Sequence, residues 1–136
     1  MPLRRIRLAL LAVALALLAV VIAVAVNQRA ARAELRERAE ALTHGNAERG
    51  ETLFVVQGCG GCHTLKGAPR AAGMVGPPLD GVGRRAVISG MLENTPRNLA
   101  HWIRQPQSVV PGNAMPDLGL SQQDANDIAA YLYSES

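Results

Sequence analysis

The sequence predicts an all-α fold: a small domain of three main helices and long loops wrapping one large rigid ligand, preceded by a single N-terminal transmembrane helix. Three observations carry that expectation. Leu8 to Val26 is an unbroken run of 19 residues without a polar side chain. Asn46, Thr95-Pro96 and Ser121 each mark the start of a helical segment. Between the first two of these, the 30 residues from Leu65 to Asn94 carry Gly and Pro but no helical or strand periodicity. A loop that long in a compact domain needs something to wrap.

The apolar run comes first. As a helix it is about 28 Å long at ~1.5 Å per residue, near the hydrocarbon thickness of a bilayer. Arg4, Arg5 and Arg7 precede it, as a cytoplasmic flank does. Ala23-Val24-Ala25 has the small-x-small form of a signal-peptide cleavage site, but the run exceeds the usual apolar region of about 7–15 residues. An uncleaved anchor over residues 1–26 is the expectation, with cleavage as the alternative. Residues 27–44 are polar and rich in Arg, Glu and Ala, strong helix formers, with Glu34 and Arg38 at the favourable i, i+4 spacing. They read as a helical stalk or a solvated linker that Gly45 breaks.

Residues 45–136 form the remaining domain. Its first helix is capped by Asn46, with Glu48 in the opening turn and Gly50 and Phe54 on one face. The middle helix opens on Thr95 with Pro96 at its first position, runs through Leu99, Trp102 and Ile103, and stops before Pro106. The last begins at Ser121-Gln122-Gln123-Asp124, a near capping box, and presents Ile128, Tyr131 and Leu132. Phe54, Trp102, Tyr131 and Tyr133 are the only aromatics. So small a core is marginal without a bridge, metal or cofactor. Two cysteines allow one bridge at most.

Charge excludes one class of function. Residues 45–136 hold seven basic and eight acidic side chains, a formal charge of −1, so the +3 of the whole chain resides in the N-terminal segment. No basic stripe interleaved with aromatics supports nucleic-acid binding.

Cys59-Gly60-Gly61-Cys62-His63 is the strongest chemical signal, a haem-attachment pattern. Two intervening residues let both thiols reach the two vinyl groups at one porphyrin edge, and the adjacent imidazole can take the iron. A structural zinc site would need a second ligand pair. A redox dithiol would need a βαβ context. Neither is present in the sequence. One covalently bound haem c, with His63 on the iron, is the expectation. The candidates for the sixth ligand are Met74, Met91, Met115, His44 and His101. Met115 stands out because it lies in Pro111-Gly112-Asn113-Ala114-Met115-Pro116, a rigid loop just after a helix. Met74 and Met91 can be simple gap-fillers.

Over residues 45–136 these motifs, in this order, resemble class I cytochromes c. Gly50 and Phe54 look like the first-helix pair that packs on the last helix there, with Ile128 and Tyr131 as partners. Gly76-Pro77-Pro78-Leu79 is similar to the family's Gly-Pro-x-Leu loop, which implies that the Pro77 carbonyl orients His63. Pro106 followed by Pro111 to Met115 matches the methionine loop. The resemblance implies Met115 as iron ligand, Asn113 near a haem propionate, and Arg84, with Arg85 as second choice, as a propionate partner. Trp102 stands near the methionine, where mitochondrial members have a tyrosine. The stretch from Asn94 through Trp102-Ile103-Arg104 to Met115-Pro116 also resembles the cytochrome domain fused to subunit II of some bacterial haem–copper oxidases.

The resulting expectation is an electron carrier and not an enzyme: iron held by His63 and Met115 leaves no position for substrate, and a Met ligand raises the potential. Expected partners are a quinol-oxidising complex as donor, a terminal oxidase as acceptor, and the membrane through the N-terminal helix, with the haem domain in the periplasm or on the outer face of the cytoplasmic membrane. The alternative is a permanent cytochrome subunit of a larger oxidase or dehydrogenase.

Overall fold

A computed structural model of the protein describes residues 2–136. The chain is mostly helical and divides into two compact units, one ending at Glu34 and the other spanning Leu35–Ser136. The helix α1 (Pro2–Thr43) contributes to both.

In the first unit the side chains of Leu8 to Val26 are exposed all round the helix. A helix apolar on every face belongs in a protein core or a membrane. Among the described residues α1 is the one helix long and apolar enough to cross a bilayer, with a mean hydropathy of 3.2 over its most apolar window.

In the second unit the last turns of α1 are packed rather than solvated. Ala39 and Thr43 are buried, and Arg36 pairs with Glu51 at 3.2 Å. Periodicity in the polar segment was too weak to reveal this face. The helix stops where His44 turns to a φ of +56°, the left-handed conformation that commonly closes helices. Glu40 then reaches forward: its Oε1 accepts a 2.8 Å bond from the Ala47 N–H, one of the orphan donors at the start of α2 (Ala47–Val56). Asn46 caps the same end, accepting from the Arg49 N–H at 2.7 Å.

α2 crosses α5 (Gln122–Ser134) at backbone contact. A Cβ added to Gly50 would sit 1.9 Å from the Asp127 carbonyl oxygen, so only glycine permits the approach. Four residues on, Phe54 meets Tyr131 edge to face, with ring centroids 5.6 Å apart, a geometry contributing about 0.5–1.5 kcal/mol beyond burial. Beside the crossing lies the buried carboxylate of Asp127. It accepts from the Asn46 N–H at 2.8 Å and from Gln123 Nε2 at 2.9 Å, and it pairs with Arg49, which also holds Asp124. Burial of such a charge is tolerable only with this degree of pairing. α5 starts with a full capping box in which the Ser121 and Asp124 side chains each accept the other's backbone N–H.

α3 (Pro96–Arg104) packs on α5 and is capped by Thr95 as expected. Three short elements escaped the sequence. A single short turn, α4 (Pro106–Val109), follows α3 directly. The irregular stretch contains an antiparallel pair, β1 (Val87–Ile88) and β2 (Leu92–Glu93), in the register Val87↔Glu93 and Ile88↔Leu92. Two-residue strands are too short to show alternation, and Ser89-Gly90 was the only cue. Asn94 fastens the segment: its Nδ2 donates to the Val82 and Arg85 carbonyls at 2.6 and 2.8 Å, and its Oδ1 accepts from the Tyr133 hydroxyl at 3.2 Å.

The core of this unit does not close on itself. Phe54, Leu99, Ile103, Ile128 and Leu132 belong to the buried cluster and also line a cavity of about 340 Å³.

Candidate haem site

That cavity lies within the usual range for small-molecule sites, about 300–1,000 Å³, and its lining is overwhelmingly apolar. Two loops bring the chemistry to it. The first follows α2, where Gly58 (φ +72°) reverses the chain into a 3-10 turn over Cys59–Gly61. The Cys59 carbonyl accepts from the N–H of Cys62 at 3.2 Å and of His63 at 3.0 Å. This turn puts Cys59, Cys62 and His63 together on the cavity. No disulfide joins Cys59 to Cys62. Burial pushes the Cys59 thiol above its ordinary pKa, the opposite of the lowered value that activates a redox dithiol.

His63 is oriented from behind. Its Nδ1 lies 2.8 Å from the Pro77 carbonyl oxygen. A carbonyl only accepts, so Nδ1 carries the proton and Nε2 keeps its lone pair for a metal. Gly76 packs on the same ring: a Cβ there would fall 2.3 Å from Cε1 and 2.8 Å from Nε2.

The second loop follows α4 and carries Met115, half-buried, into the cavity lining. None of the other four candidate ligands lines this cavity. Met74 is 91% and Met91 67% exposed. His44 and His101 border a separate surface cleft between the ends of α1, α3 and α5.

Trp102, on α3, also lines the cavity. One expected residue, Arg84, lies off the lining. Arg84 ends a 3-10 turn over Val82–Arg84 that buries Val82, and its side chain folds back over Gly81 to solvent. The lining arginine is Arg85, where the backbone becomes extended and the guanidinium donates to the Pro78 and Asp80 carbonyls. Among the described residues, Arg85 is the one Lys or Arg that lines this cavity. Asn113 reaches the lining, but its amide is engaged within its own loop. Nδ2 donates to the Pro106 and Val110 carbonyls at 3.0 and 2.6 Å, and Oδ1 accepts from the Met115 N–H at 2.8 Å. With both amide hydrogens and the oxygen engaged, Asn113 shapes the loop.

Sequence reasoning missed Gln107. Its Nε2 donates to the Asn113 and Met115 carbonyls at 2.9 and 2.7 Å, and its Oε1 accepts from the Gly112 N–H at 3.0 Å. A lone glutamine in a one-turn helix carries no motif by which to find it.

The residues fit a haem c by their own chemistry. Two thiols and an imidazole with a free nitrogen adjoin an apolar cavity, a thioether enters from a distant loop, and one fixed cation is available to an acidic edge.

Comparison with known proteins agrees. The cytochrome c family model matches residues 47–136. Three relatives are each named cytochrome c oxidase subunit 2. That of Alkalihalophilus pseudofirmus is 42% identical over 103 residues, covering 75% of this chain and 28% of that protein. That of Bacillus sp. strain PS3 is 35% identical over 97 residues, 68% of this chain and 27% of the relative. That of Bacillus subtilis is 30% identical over 89 residues, 64% and 25% respectively. The chain therefore spans about a quarter of the length of the curated relatives it matches. No solved structure matches it. Since the matched region includes the Cys-x-x-Cys-His turn, the loop orienting His63 and the methionine loop, the chain belongs to the cytochrome c family.

Proposed function

We propose that the protein is a membrane-tethered monohaem cytochrome that passes single electrons in a respiratory chain. The observation that carries this is the meeting of Cys59, Cys62, His63 and Met115 on one apolar cavity. When bound, haem c supplies an iron that alternates between Fe(III) and Fe(II).

The chain's own residues do the rest. Cys59 and Cys62 hold the group as thioethers. His63, its Nδ1 proton held by the Pro77 carbonyl, would offer Nε2 to the iron. Met115 would offer its thioether as a second ligand to the iron, a donor that raises the reduction potential. The walls of Phe54, Leu99, Ile103 and Ile128 exclude water, and Trp102 extends them. Arg85 offsets acidic charge at the cavity edge. A haem held this way would exchange single electrons by outer-sphere transfer.

The apolar stretch of α1 anchors the domain in the bacterial inner membrane. Arg4, Arg5 and Arg7 keep the N-terminus cytoplasmic, and the haem domain lies on the periplasmic side. A quinol-oxidising complex is the proposed donor and a terminal oxidase the acceptor. A second reading has a specific observation behind it: the relatives are subunits named for cytochrome c oxidase. In that reading the chain is a permanent subunit of such a complex. Purification from membranes in mild detergent separates the two. A chain recovered alone supports the carrier, and a stable stoichiometric complex supports the subunit.

The ligand set is tested by optical spectroscopy of the oxidised chain. Met115→Ala abolishes the sulfur-to-iron charge-transfer band and lowers the potential, whereas Met74→Leu and Met91→Leu leave both unchanged. Survival of the band in Met115→Ala moves the ligand elsewhere.

A further inference from the structure

We propose that Gln107 is the positioning residue for Met115, locking the methionine loop closed so that the axial sulfur resists replacement by other ligands. This rests on the reading of Met115 as an iron ligand.

Pro111 to Pro116 forms a loop with little secondary structure of its own, in which Pro111, Gly112, Ala114 and Pro116 are exposed. Gly112 takes a φ of +79°. Such a segment opens readily unless its polar groups are tied down. Two side chains tie it, and they act on different parts. Asn113 works from inside the loop, bonding back to Pro106 at the start of α4 and to Val110 just past its end, and bracing the Met115 N–H. Gln107 works from outside it. Rooted in α4, it holds the loop at three places: the Gly112 N–H, the Asn113 carbonyl and the Met115 carbonyl. Its own backbone N–H is held by Asp117 Oδ1 at 3.3 Å, on the far side of the loop.

The Met115 carbonyl bond matters most. At 2.7 Å it fixes the backbone of the residue whose side chain enters the cavity. Gln107 itself does not line the cavity, so it acts on the iron only through Met115. Its amide is fully used, with both hydrogens and the oxygen engaged. A shorter or apolar residue cannot replace that set. The expectation is therefore specific. Loss of Gln107 raises the fraction of time the sulfur is off the iron, without removing the sulfur.

The test uses the full-length, haem-loaded chain in detergent, with imidazole as the competing ligand. Imidazole binds only when the sulfur has left, so its binding rate to the oxidised protein reads loop opening. Gln107→Leu removes all three bonds. Gln107→Glu keeps the acceptor for Gly112 but loses both donors. Both variants should bind imidazole about ten-fold faster than the wild type, the factor corresponding to a loss of about 1.4 kcal/mol. The charge-transfer band should weaken in both, while covalent haem content stays unchanged. If Gln107→Leu fails to fold, Gln107→Glu decides. Rates matching the wild type in the folded variants, beside a fast Met115→Ala control, overturn the positioning role alone. A Met115→Ala control no faster than the wild type overturns the ligand assignment, and the role of Gln107 with it.

Discussion

The Pro77 carbonyl oxygen stands 2.8 Å from His63 Nδ1, and the Cα of Gly76, one residue earlier, packs against the same imidazole. One short segment thus sets both the tautomer and the tilt of the proposed iron ligand. Gly76→Ala should push the ring out of place, because its Cβ would lie 2.3 Å from Cε1. Neither ring nor backbone can yield without breaking the Pro77 bond. The expected outcome is an altered ferric spin state with haem still covalently attached, read by optical and electron paramagnetic resonance spectra.

The crossing of α2 and α5 should be the most sensitive point of the fold. Gly50→Ala places a methyl 1.9 Å from the Asp127 carbonyl and forces apart the helices that align Phe54 with Tyr131. Overpacking of this kind commonly costs about 1–3 kcal/mol. We expect the upper end of that range or beyond, because the clash is with backbone. Denaturant unfolding of the haem-loaded chain measures it.

Much of this was legible in the residues. The caps at Asn46, Thr95 and Ser121 mark helix starts because each must satisfy orphan backbone donors, a local requirement written in local sequence. The turn that gathers Cys59, Cys62 and His63 is legible for the same reason, since its residues are contiguous. What escaped depends on contacts distant in sequence or on elements too short for periodicity. Ala39 and Thr43 bury a helix end that looks uniformly polar. Val87–Ile88 and Leu92–Glu93 pair over two residues. The lining arginine proves to be Arg85, because a single 3-10 turn rotates Arg84 away. Asn113 reaches the cavity lining, and the three hydrogen bonds that tie its side chain into the loop are not readable from the sequence.

Acid should loosen the start of α5. The Ser121 hydroxyl, and after it the Arg49 guanidinium, hold the Asp124 carboxyl below its ordinary pKa. A depressed pKa in the folded state contributes stability that is present above the unfolded value, about 3.9, and is lost as pH falls through the folded one. Ser121→Ala should therefore flatten the pH dependence of unfolding below about pH 4. Chemical denaturation of wild type and variant between neutral and acid pH tests the sign. A slope unchanged by the substitution would place the pH sensitivity elsewhere.

Partner docking should depend little on salt. The domain from residue 45 onward has a formal charge of −1, and Lys66 is the only lysine in the chain. Val75 and Val87 line the cavity and are 71% and 49% exposed, while the adjacent Met74 is almost fully so. An apolar rim without a large field steers encounter weakly. Stopped-flow electron transfer to an oxidase should change modestly between about 10 and 200 mM salt, a range over which the Debye length falls from about 30 Å to below 10 Å. A steep fall would point instead to charged docking.

The proposed function turns on whether Cys59 and Cys62 carry haem. Proteolysis of the full-length chain purified from membranes, followed by mass spectrometry, reads this directly. One peptide containing Cys59 to His63 should be heavier by a single haem, bonded through both sulfurs, with no haem on any other peptide. The same peptide recovered with two unmodified cysteines, or with a disulfide between them, would contradict it.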